Sequence, residues 1–233
     1  MTERKRINLT GQIQGIGFRP AIYRLAEELH LAGLVYNDTK GVTIEIQGPA
    51  EKIAEFIEQL KTGKDLPALS DIKTLDANDI EIIEGQAGFV ISESRKRGTV
   101  ISQVTADIAT CEDCLREMRD KNNFRYRYPF INCTNCGPRY SIVKTIPYDR
   151  PNTTMSEFKM CDKCAAQYKD VGDRRFHAQP VACPDCGPRV YLCDSDGEVI
   201  ETDSDKVIAE TAEILKAGKI AAIKCTIESS TCR

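Results

Sequence analysis

The chain reads GQIQGIGFRP at residues 11–20, and this segment indicates how the first part of the protein folds. Its glycines allow a sharp backbone turn, and Pro20 suits a first helical turn, because the N–H that proline lacks would have no partner there. Residues 5–11 alternate polar and apolar side chains, a pattern that predicts a half-buried strand. We therefore predict a tight turn from a strand into a helix.

Further elements follow this turn in a regular order. Apolar side chains recur at helical spacing in two places, and short apolar runs typical of strands lie between and after them. The helices are predicted near residues 20–29 and 53–60, and the strands at residues 33–37, 41–47, 72–75 and 89–91, with a hairpin turn at 38–41. The order β-α-β-β-α-β predicts an α+β, ferredoxin-like domain over residues 1–92, with two helices covering one face of an antiparallel sheet.

Composition narrows the class of protein further. The 233 residues are 41% hydrophobic and 29% charged, with a formal net charge of −3, which is typical of a globular chain and excludes a global polycation for wrapping nucleic acid. No apolar run approaches the ~20 residues of a membrane span, and the charged N-terminus is unlike a signal peptide. We expect a cytoplasmic protein. Its 11 cysteines then indicate metal or catalytic chemistry rather than disulfide bonds.

Eight of the cysteines form an internal repeat within residues 93–190. Each half reads Cys-x2-Cys-x18-Cys-x2-Cys, and the second half follows the first with a period of 50 residues. This spacing suits tetrahedral zinc held by four thiolates, with no open coordination position. We predict a zinc-stabilised small domain with two structural zinc ions, which compensate for a core too small to fold alone. The predicted ligands are Cys111, Cys114, Cys133, Cys136, Cys161, Cys164, Cys183 and Cys186.

The spacing leaves the assignment of cysteine pairs to ions open. Sequential pairing follows the repeat, whereas a nested arrangement would join the first pair with the fourth and the second pair with the third. Redox chemistry is the rival interpretation of a Cys-x2-Cys pair, but the surrounding sequence shows no thioredoxin-like βαβ pattern. Cys193, Cys225 and Cys232 are left over.

Basic and aromatic residues are interleaved at two places in the repeat, residues 125–128 and 174–177. Single-strand nucleic-acid binders use such a pattern. However, the thiolates and zinc ions leave residues 93–190 close to neutral, which argues against nucleic acid as a partner. We favour a packing role, with aromatic rings over the zinc sites and arginines bridging carboxylates or neighbouring domains. His177 is interpreted as a hydrogen-bonding or interface residue, and a zinc-ribbon nucleic-acid-binding protein is kept as an alternative.

The loop before the first helix has the composition of an anion site. Its glycines let successive amides converge at a helix N-terminus, where the helix dipole favours negative charge. Arg19 follows the loop, and its planar guanidinium can bind two oxygens of a phosphate. Asn37 lies beside the hairpin turn, where asparagine is also ordinary turn chemistry. On residue chemistry alone, a tight turn with a surface arginine is the competing interpretation.

Residues 11–19, together with GLVYN at residues 33–37, resemble the acylphosphatase signature. The resemblance covers residues 5–92. It implies that Arg19 binds the phosphoryl group of an acyl phosphate and that Asn37 positions the attacking water, a reaction for which orientation and charge stabilisation suffice. The implied phosphate-binding loop is Gln14, Gly15, Ile16, Gly17, Phe18 and Arg19.

The succession of an acylphosphatase-like domain and tandem cysteine repeats is similar to one family, the HypF-type hydrogenase maturation carbamoyltransferases. The stretches RYPFINCTNCGPRY at residues 127–140 and RRFHAQP at residues 174–180 carry the resemblance, which extends from residue 5 to about residue 224. It implies that the first domain acts on carbamoyl phosphate, that a YrdC-like domain makes carbamoyl-adenylate with ATP, and that a last domain transfers the carbamoyl group to a partner, HypE.

Residues 191–233 resemble the start of that YrdC-like domain, and we expect an incomplete α/β segment there. The pattern predicts a helix over about residues 204–217, ended by Gly218, and a strand at residues 220–223. After Lys224 the sequence departs from the glycine-rich stretch of the family. We expect a truncated carbamoyltransferase that keeps hydrolysis of carbamoyl phosphate, without a function for the last two cysteines. A standalone acylphosphatase with a zinc interaction module is the alternative.

Overall fold

The computed structural model describes residues 1–95 and 104–223. In residues 1–95 the order of elements is β1-α1-β2-β3-α2-β4-β5, which confirms the α+β, ferredoxin-like class predicted from the sequence. The strands are β1 (Thr2–Gln12), β2 (Ala32–Asn37), β3 (Val42–Pro49), β4 (Asp71–Asp79) and β5 (Phe89–Ile91), and the helices are α1 (Phe18–Glu28) and α2 (Ala50–Thr62).

The sheet has the strand order β4-β1-β3-β2-β5. Neighbouring strands are antiparallel except β2 and β5, which run parallel. Both helices contribute to a core on one face of the sheet, where each fully buried large apolar side chain stabilises the fold by roughly 1.5–3 kcal/mol. Core residues include Ile7, Leu9, Ile22, Leu25, Val35, Ile44, Ile46, Ile53, Phe56 and Leu60.

Several elements are longer than predicted, and the early starts of β1 and α1 have identifiable physical reasons. β1 begins at Thr2 rather than at residue 5, because its first three residues pair with the end of β3, from Thr2 opposite Pro49 to Arg4 opposite Gln47. α1 begins at Phe18, two residues before Pro20, because Gly17 adopts left-handed backbone angles and turns the chain into the helix at that point. The helix therefore starts inside the predicted anion loop.

The cysteine repeat has little regular structure. Its two short helices, α3 (Glu112–Arg119) and α4 (Asp162–Lys169), each begin immediately after the first cysteine of a repeat. Single 3-10 turns and loops connect them. The two cores of this region are small and contain the cysteines themselves; the second consists of Cys164, Ala178, Val181 and Cys183. Cores of this size agree with the expectation that the region requires metal to fold.

The last described segment contains a short hairpin and one helix. The strands are β6 (Leu192–Cys193) and β7 (Val199–Glu201), and the helix is α5 (Ser204–Lys216), whose first turn is capped by the Asp203 carboxylate. The strand predicted at residues 220–223 is wrong: these residues pair with no strand in the described part of the chain, and Ile220 and Ile223 are exposed. A strand pattern without a partner strand does not form a sheet.

Cys225 and Cys232 lie outside the described residues. Within the described part, no helix has both the length and the apolar character needed to cross a membrane. The boundaries proposed from the sequence, after residues 92 and 190, stay predictions.

Candidate active site and metal centres

The loop between β1 and α1 curls around the N-terminus of α1. Gly15 and Gly17 have φ of 80° and 79°, in the left-handed region that favours glycine. The N-cap residue of the helix is Gly17, which has no side chain to cap it. The amides of Ile16, Gly17 and Phe18 donate no hydrogen bond to any other described residue. Unpaired N–H groups at the positive end of a helix form the kind of site that binds anions.

Gln14 supports this loop from below. Its buried side chain donates from Nε2 to the carbonyl oxygens of Asp38 (2.8 Å) and Gly41 (2.7 Å), and its Oε1 accepts from the amide of Tyr148 (3.0 Å). All three polar contacts are internal. The side chain of this loop residue therefore joins the loop to the hairpin at residues 38–41.

The structure brings Arg19 and Asn37 to one point. Both side chains are buried, and both donate to the carbonyl oxygen of Tyr148, from Arg19 Nη2 at 3.4 Å and from Asn37 Nδ2 at 3.2 Å. Asn37 Oδ1 has no hydrogen-bond partner among the described residues. The turn itself is organised by the Asp38 carboxylate, which accepts from the amides of Lys40 and Gly41. Turn formation therefore does not account for Asn37.

An anionic side chain from the cysteine-repeat region also reaches Arg19. Asp149 Oδ1 lies 2.7 Å from Arg19 Nη2, and Asp149 follows Tyr148 directly. The sequence reasoning missed both residues, because no motif marks them. Tyr148 and Asp149 thus form a cover over the site, and Tyr148 lies 129 residues further along the chain than Arg19.

A cavity of ≈ 20 Å³ remains between the loop and this cover, room for about one water molecule. Its walls include Gly15, Gly17, Arg19, Tyr148, His177 and Gln179. His177 thus lies at this interface, as the sequence indicated. Burial, and secondarily the charge of Arg19, lowers the pKa of His177 to about 4. The imidazole is therefore neutral near neutral pH, and it packs against the rings of Tyr168 and Phe176.

The eight cysteines of the repeat form two groups of four. The sulfur atoms in each group all lie within 4.8 Å of one another, and the groups follow the sequential pairing rather than the nested one. Neighbouring sulfurs such as Cys133 and Cys136, or Cys183 and Cys186, are 3.7 Å apart. Tetrahedral zinc with Zn–S bonds of about 2.3 Å requires sulfurs roughly 3.8 Å apart. Both groups therefore fit a four-thiolate zinc ion.

Arginines cross between the two groups. Arg125, in the first repeat, is fully buried and donates from Nη2 to Cys164 Sγ of the second group at 3.2 Å. Its counterpart 50 residues later, Arg175, has Nη2 3.9 Å from Cys114 Sγ of the first group. Burial tends to raise the pKa of Glu117, but hydrogen bonds from Arg175 and Arg174 outweigh it and lower that pKa. These buried guanidiniums are unavailable to a nucleic-acid backbone, which favours the packing interpretation.

Comparison with known proteins agrees with the fold and the anion loop described for the first domain. The family model described as Acylphosphatase matches residues 5–91. The chain is 35% identical over 82 residues to the acylphosphatase of Clostridium beijerinckii, a match that covers 35% of this chain and 88% of that protein. The fold, the loop and these matches define an acylphosphatase domain.

The cysteine repeats match a second family model, and longer relatives match nearly the whole chain. The model described as HypF finger matches residues 110–143 and 160–193. The chain is 53% identical over 220 residues to the probable carbamoyltransferase HypF of Methanocaldococcus jannaschii, and 50% identical over 224 residues to carbamoyltransferase HypF2 of Cupriavidus necator. These matches cover 94% and 96% of this chain, but 28% and 27% of the relatives.

A solved structure matches over the same length. The crystal structure of full-length HypF in its phosphate- and nucleotide-bound form superimposes with a TM-score of 0.81 at 43% identity, over 94% of this chain and 28% of that one. The chain therefore belongs to the HypF family of carbamoyltransferases. It spans a little over a quarter of the length of these relatives.

Proposed function

We propose that this protein hydrolyses an acyl phosphate, carbamoyl phosphate in its family context, at the loop of residues 14–19. The observation that carries the proposal is the convergence of Arg19 and Asn37 beside the amides of Ile16, Gly17 and Phe18, which have no hydrogen-bond partner among residues 1–95 and 104–223. The acylphosphatase and HypF relatives support it. So does the phosphate that is bound to a structurally similar HypF.

In this proposal the loop amides and Arg19 hold the phosphoryl oxygens and stabilise the charge that develops on them. Asn37 Oδ1, a buried acceptor without a partner, takes a hydrogen bond from the attacking water. The water oxygen bonds to phosphorus as the bond to the acyl carboxylate breaks. The carboxylate leaves as carbamate, and the proton lost by water passes to the phosphate released. Positioning and charge stabilisation supply the rate enhancement.

The cover of the site has to move for this reaction. The ≈ 20 Å³ cavity is too small for a phosphoryl group, and Asp149 already pairs with the Arg19 guanidinium. We propose that the segment with Tyr148 and Asp149 shifts outward when substrate binds. The carboxylate then acts as a placeholder that a dianionic phosphoryl group replaces on Arg19.

We propose that zinc occupies both four-cysteine groups, with ligands Cys111, Cys114, Cys133, Cys136, Cys161, Cys164, Cys183 and Cys186. Four thiolates complete a tetrahedral ion, so the metal supplies structural stability when bound. Its benefit to the site is indirect, because the region it stabilises carries the cover. Eight cysteines that serve as metal ligands rather than disulfide partners support a cytoplasmic location.

We further propose that hydrolysis serves carbamoyl transfer in hydrogenase maturation, with a HypE-type protein as partner. The names of the relatives support this. In the proposal, adenylation and transfer belong to regions of those relatives that this chain does not match.

Phosphate release from carbamoyl phosphate by the purified protein tests the hydrolysis directly, with zinc content measured on the same sample. Arg19→Ala is expected to lower kcat/KM by about 100-fold or more, the usual effect of removing a group that stabilises transition-state charge. The matched control is Arg116→Ala, an exposed arginine on α3, which should leave turnover unchanged. Equal turnover by wild type and Arg19→Ala would exclude the loop as the site.

A further inference from the structure

Two arginines occupy the same place in the internal repeat, directly after Cys-Gly-Pro. Arg139 follows the first site and is 1% exposed, whereas Arg189 follows the second site and is exposed. The repeat provides an internal reference, because both copies build a four-cysteine group. The second group forms although Arg189 is exposed. The contacts of buried Arg139 are therefore not needed to bring four sulfur atoms together.

All five N–H groups of the Arg139 guanidinium are used on main-chain carbonyls. Nη1 donates to Cys136 (3.2 Å) and Pro138 (2.8 Å), and Nη2 donates to Cys133 (3.2 Å) and Thr134 (2.9 Å). These four bonds hold the turn between the last two ligands of the first site. The fifth, from Nε, crosses to the carbonyl oxygen of Gly15 in the phosphate loop.

The fifth bond fixes the direction of a loop amide. The Gly15 carbonyl and the Ile16 N–H belong to one planar trans peptide and point in opposite directions. A guanidinium that holds this carbonyl therefore holds the Ile16 N–H on the other side of the chain. That N–H is one of the donors without a partner among the described residues.

The turn of the first site also fits closely against both loop glycines. A Cβ placed on Gly15 would lie 3.2 Å from Arg139 Cδ, and one placed on Gly17 would lie 3.2 Å from Thr134 Cβ. The position equivalent to Thr134 in the second repeat is Pro184, and no contact of its turn with the loop is found in the described residues. In the part of the chain that the structure describes, the turn of the first site thus packs against both loop glycines, and the turn of the second does not.

We propose that Arg139 is a positioning residue for acyl phosphate binding, which conveys the geometry set by metal at Cys133 and Cys136 to the Gly15–Ile16 peptide. The first four-cysteine site thereby controls phosphate affinity, and the second does not. This inference rests on the proposed function, and it assigns to one of two equivalent metal sites a role in the active site.

The test measures binding of inorganic phosphate by calorimetry, with KM and kcat for carbamoyl phosphate, on the zinc-loaded full chain. Arg139→Lys keeps the charge but loses the fork that joins turn and loop. We expect its phosphate Kd and its KM to rise about 10-fold or more, the loss of one charged hydrogen bond, with two zinc ions retained and kcat changed less. The matched control, Arg189→Lys, should behave as wild type. Unchanged phosphate affinity in a folded Arg139→Lys overturns the inference.

A second pair of variants decides the matter if Arg139→Lys does not fold. Cys111→Ser and Cys161→Ser remove equivalent ligands from the two sites, and both are compared at saturating zinc. We expect phosphate binding to weaken clearly more in Cys111→Ser than in Cys161→Ser, because the turn of the first site contacts the loop directly. Equal affinities, or a loss confined to Cys161→Ser, contradict the inference. If the wild-type protein itself neither binds phosphate nor releases it from carbamoyl phosphate, the proposed function has failed instead.

Discussion

The two cysteine repeats have the same ligand spacing but different neighbours. In the first, the turn between Cys133 and Cys136 packs on the phosphate loop through Arg139. In the second, the equivalent turn packs on the first repeat, where the Tyr128 hydroxyl donates to the Pro188 carbonyl at 3.2 Å. The first four-cysteine turn thus contacts the phosphate loop, whereas the second contacts the first repeat. Duplication of a metal-binding unit can therefore yield one copy with a contact to an active site and one without.

The repeats also differ in how much packing surrounds the metal ligands. Among the described residues, the buried core of the first includes Tyr128, Ile131, Ile142 and Met155, whereas that of the second consists of Ala178 and Val181 with two cysteines, and larger apolar side chains pack against it only partly buried. Three of the four cysteines are buried in the first group and two in the second. The second site therefore depends more on its metal, and the first is better protected from solvent.

The largest expected effect is that of metal removal. A strong chelator should empty the second site first and then unfold both repeats, because structural zinc contributes about 10–16 kcal/mol of apparent binding free energy in small fingers. Residues 1–95 should stay folded on their own apolar core. A nitrogen–proton correlation spectrum recorded during chelation checks this. Simultaneous loss of both sites, or repeat signals that stay dispersed without zinc, would contradict the comparison.

Substitution of Arg125 tests the crossed arginine contacts. Arg125→Met leaves the Cys164 thiolate without its buried counter-charge, so we expect the free energy of unfolding to fall by about 3 kcal/mol. Although Arg125 belongs to the first repeat, the second site should release its metal faster. Cadmium NMR of the cadmium-loaded protein separates the two sites. Exposed Arg116→Met is the control, and a change confined to the first site would refute the crossed arrangement.

A smaller effect is expected from Asp149. Asp149→Asn removes a negative charge that pairs with Arg19 and opposes an incoming dianion, so phosphate affinity should rise about 3- to 10-fold, or ~1 kcal/mol. Calorimetry with inorganic phosphate measures it. Exposed Asp185→Asn, beside the second site, changes the net charge equally without reaching Arg19 and should have little effect. Weaker phosphate binding by Asp149→Asn would show that the carboxylate supports binding rather than competing with it.

The smallest expected effect concerns pH. The pKa of His177 lies near 4 in the folded protein because of burial, against 6.5 for the exposed group. The unfolded chain thus binds a proton that the folded chain does not, and stability falls as the pH drops below 6.5. We expect a loss of roughly 1 kcal/mol between about pH 7 and about pH 5.5.

Denaturant unfolding at these two pH values measures that loss. His177→Gln should flatten the dependence, whereas a substitution of His30, the other histidine and an exposed one, should not. If the free energy of unfolding of His177→Gln still falls as steeply with pH, other groups cause the pH dependence.

Much of the site could be predicted from the sequence because its signals are local. Paired cysteines at fixed spacing determine the two groups, and a glycine loop before a helix places Arg19. Arg139 and Arg189 show the limit, since both follow Cys-Gly-Pro and only tertiary packing separates their roles. Tyr148 and Asp149 carry no motif, because they act through contacts with residues far away in the chain. The strand prediction for residues 220–223 is wrong for the same reason, since strand pairing depends on residues far away in the chain.

The most direct measurement is a crystal structure of the zinc-loaded protein with bound inorganic phosphate. We expect phosphate oxygens on the amides of Ile16, Gly17 and Phe18 and on the Arg19 guanidinium, Asp149 withdrawn from Arg19, and Arg139 still bonded to the Gly15 carbonyl. Phosphate bound elsewhere, with the Arg19–Asp149 pair intact and the loop amides turned away, would contradict the account.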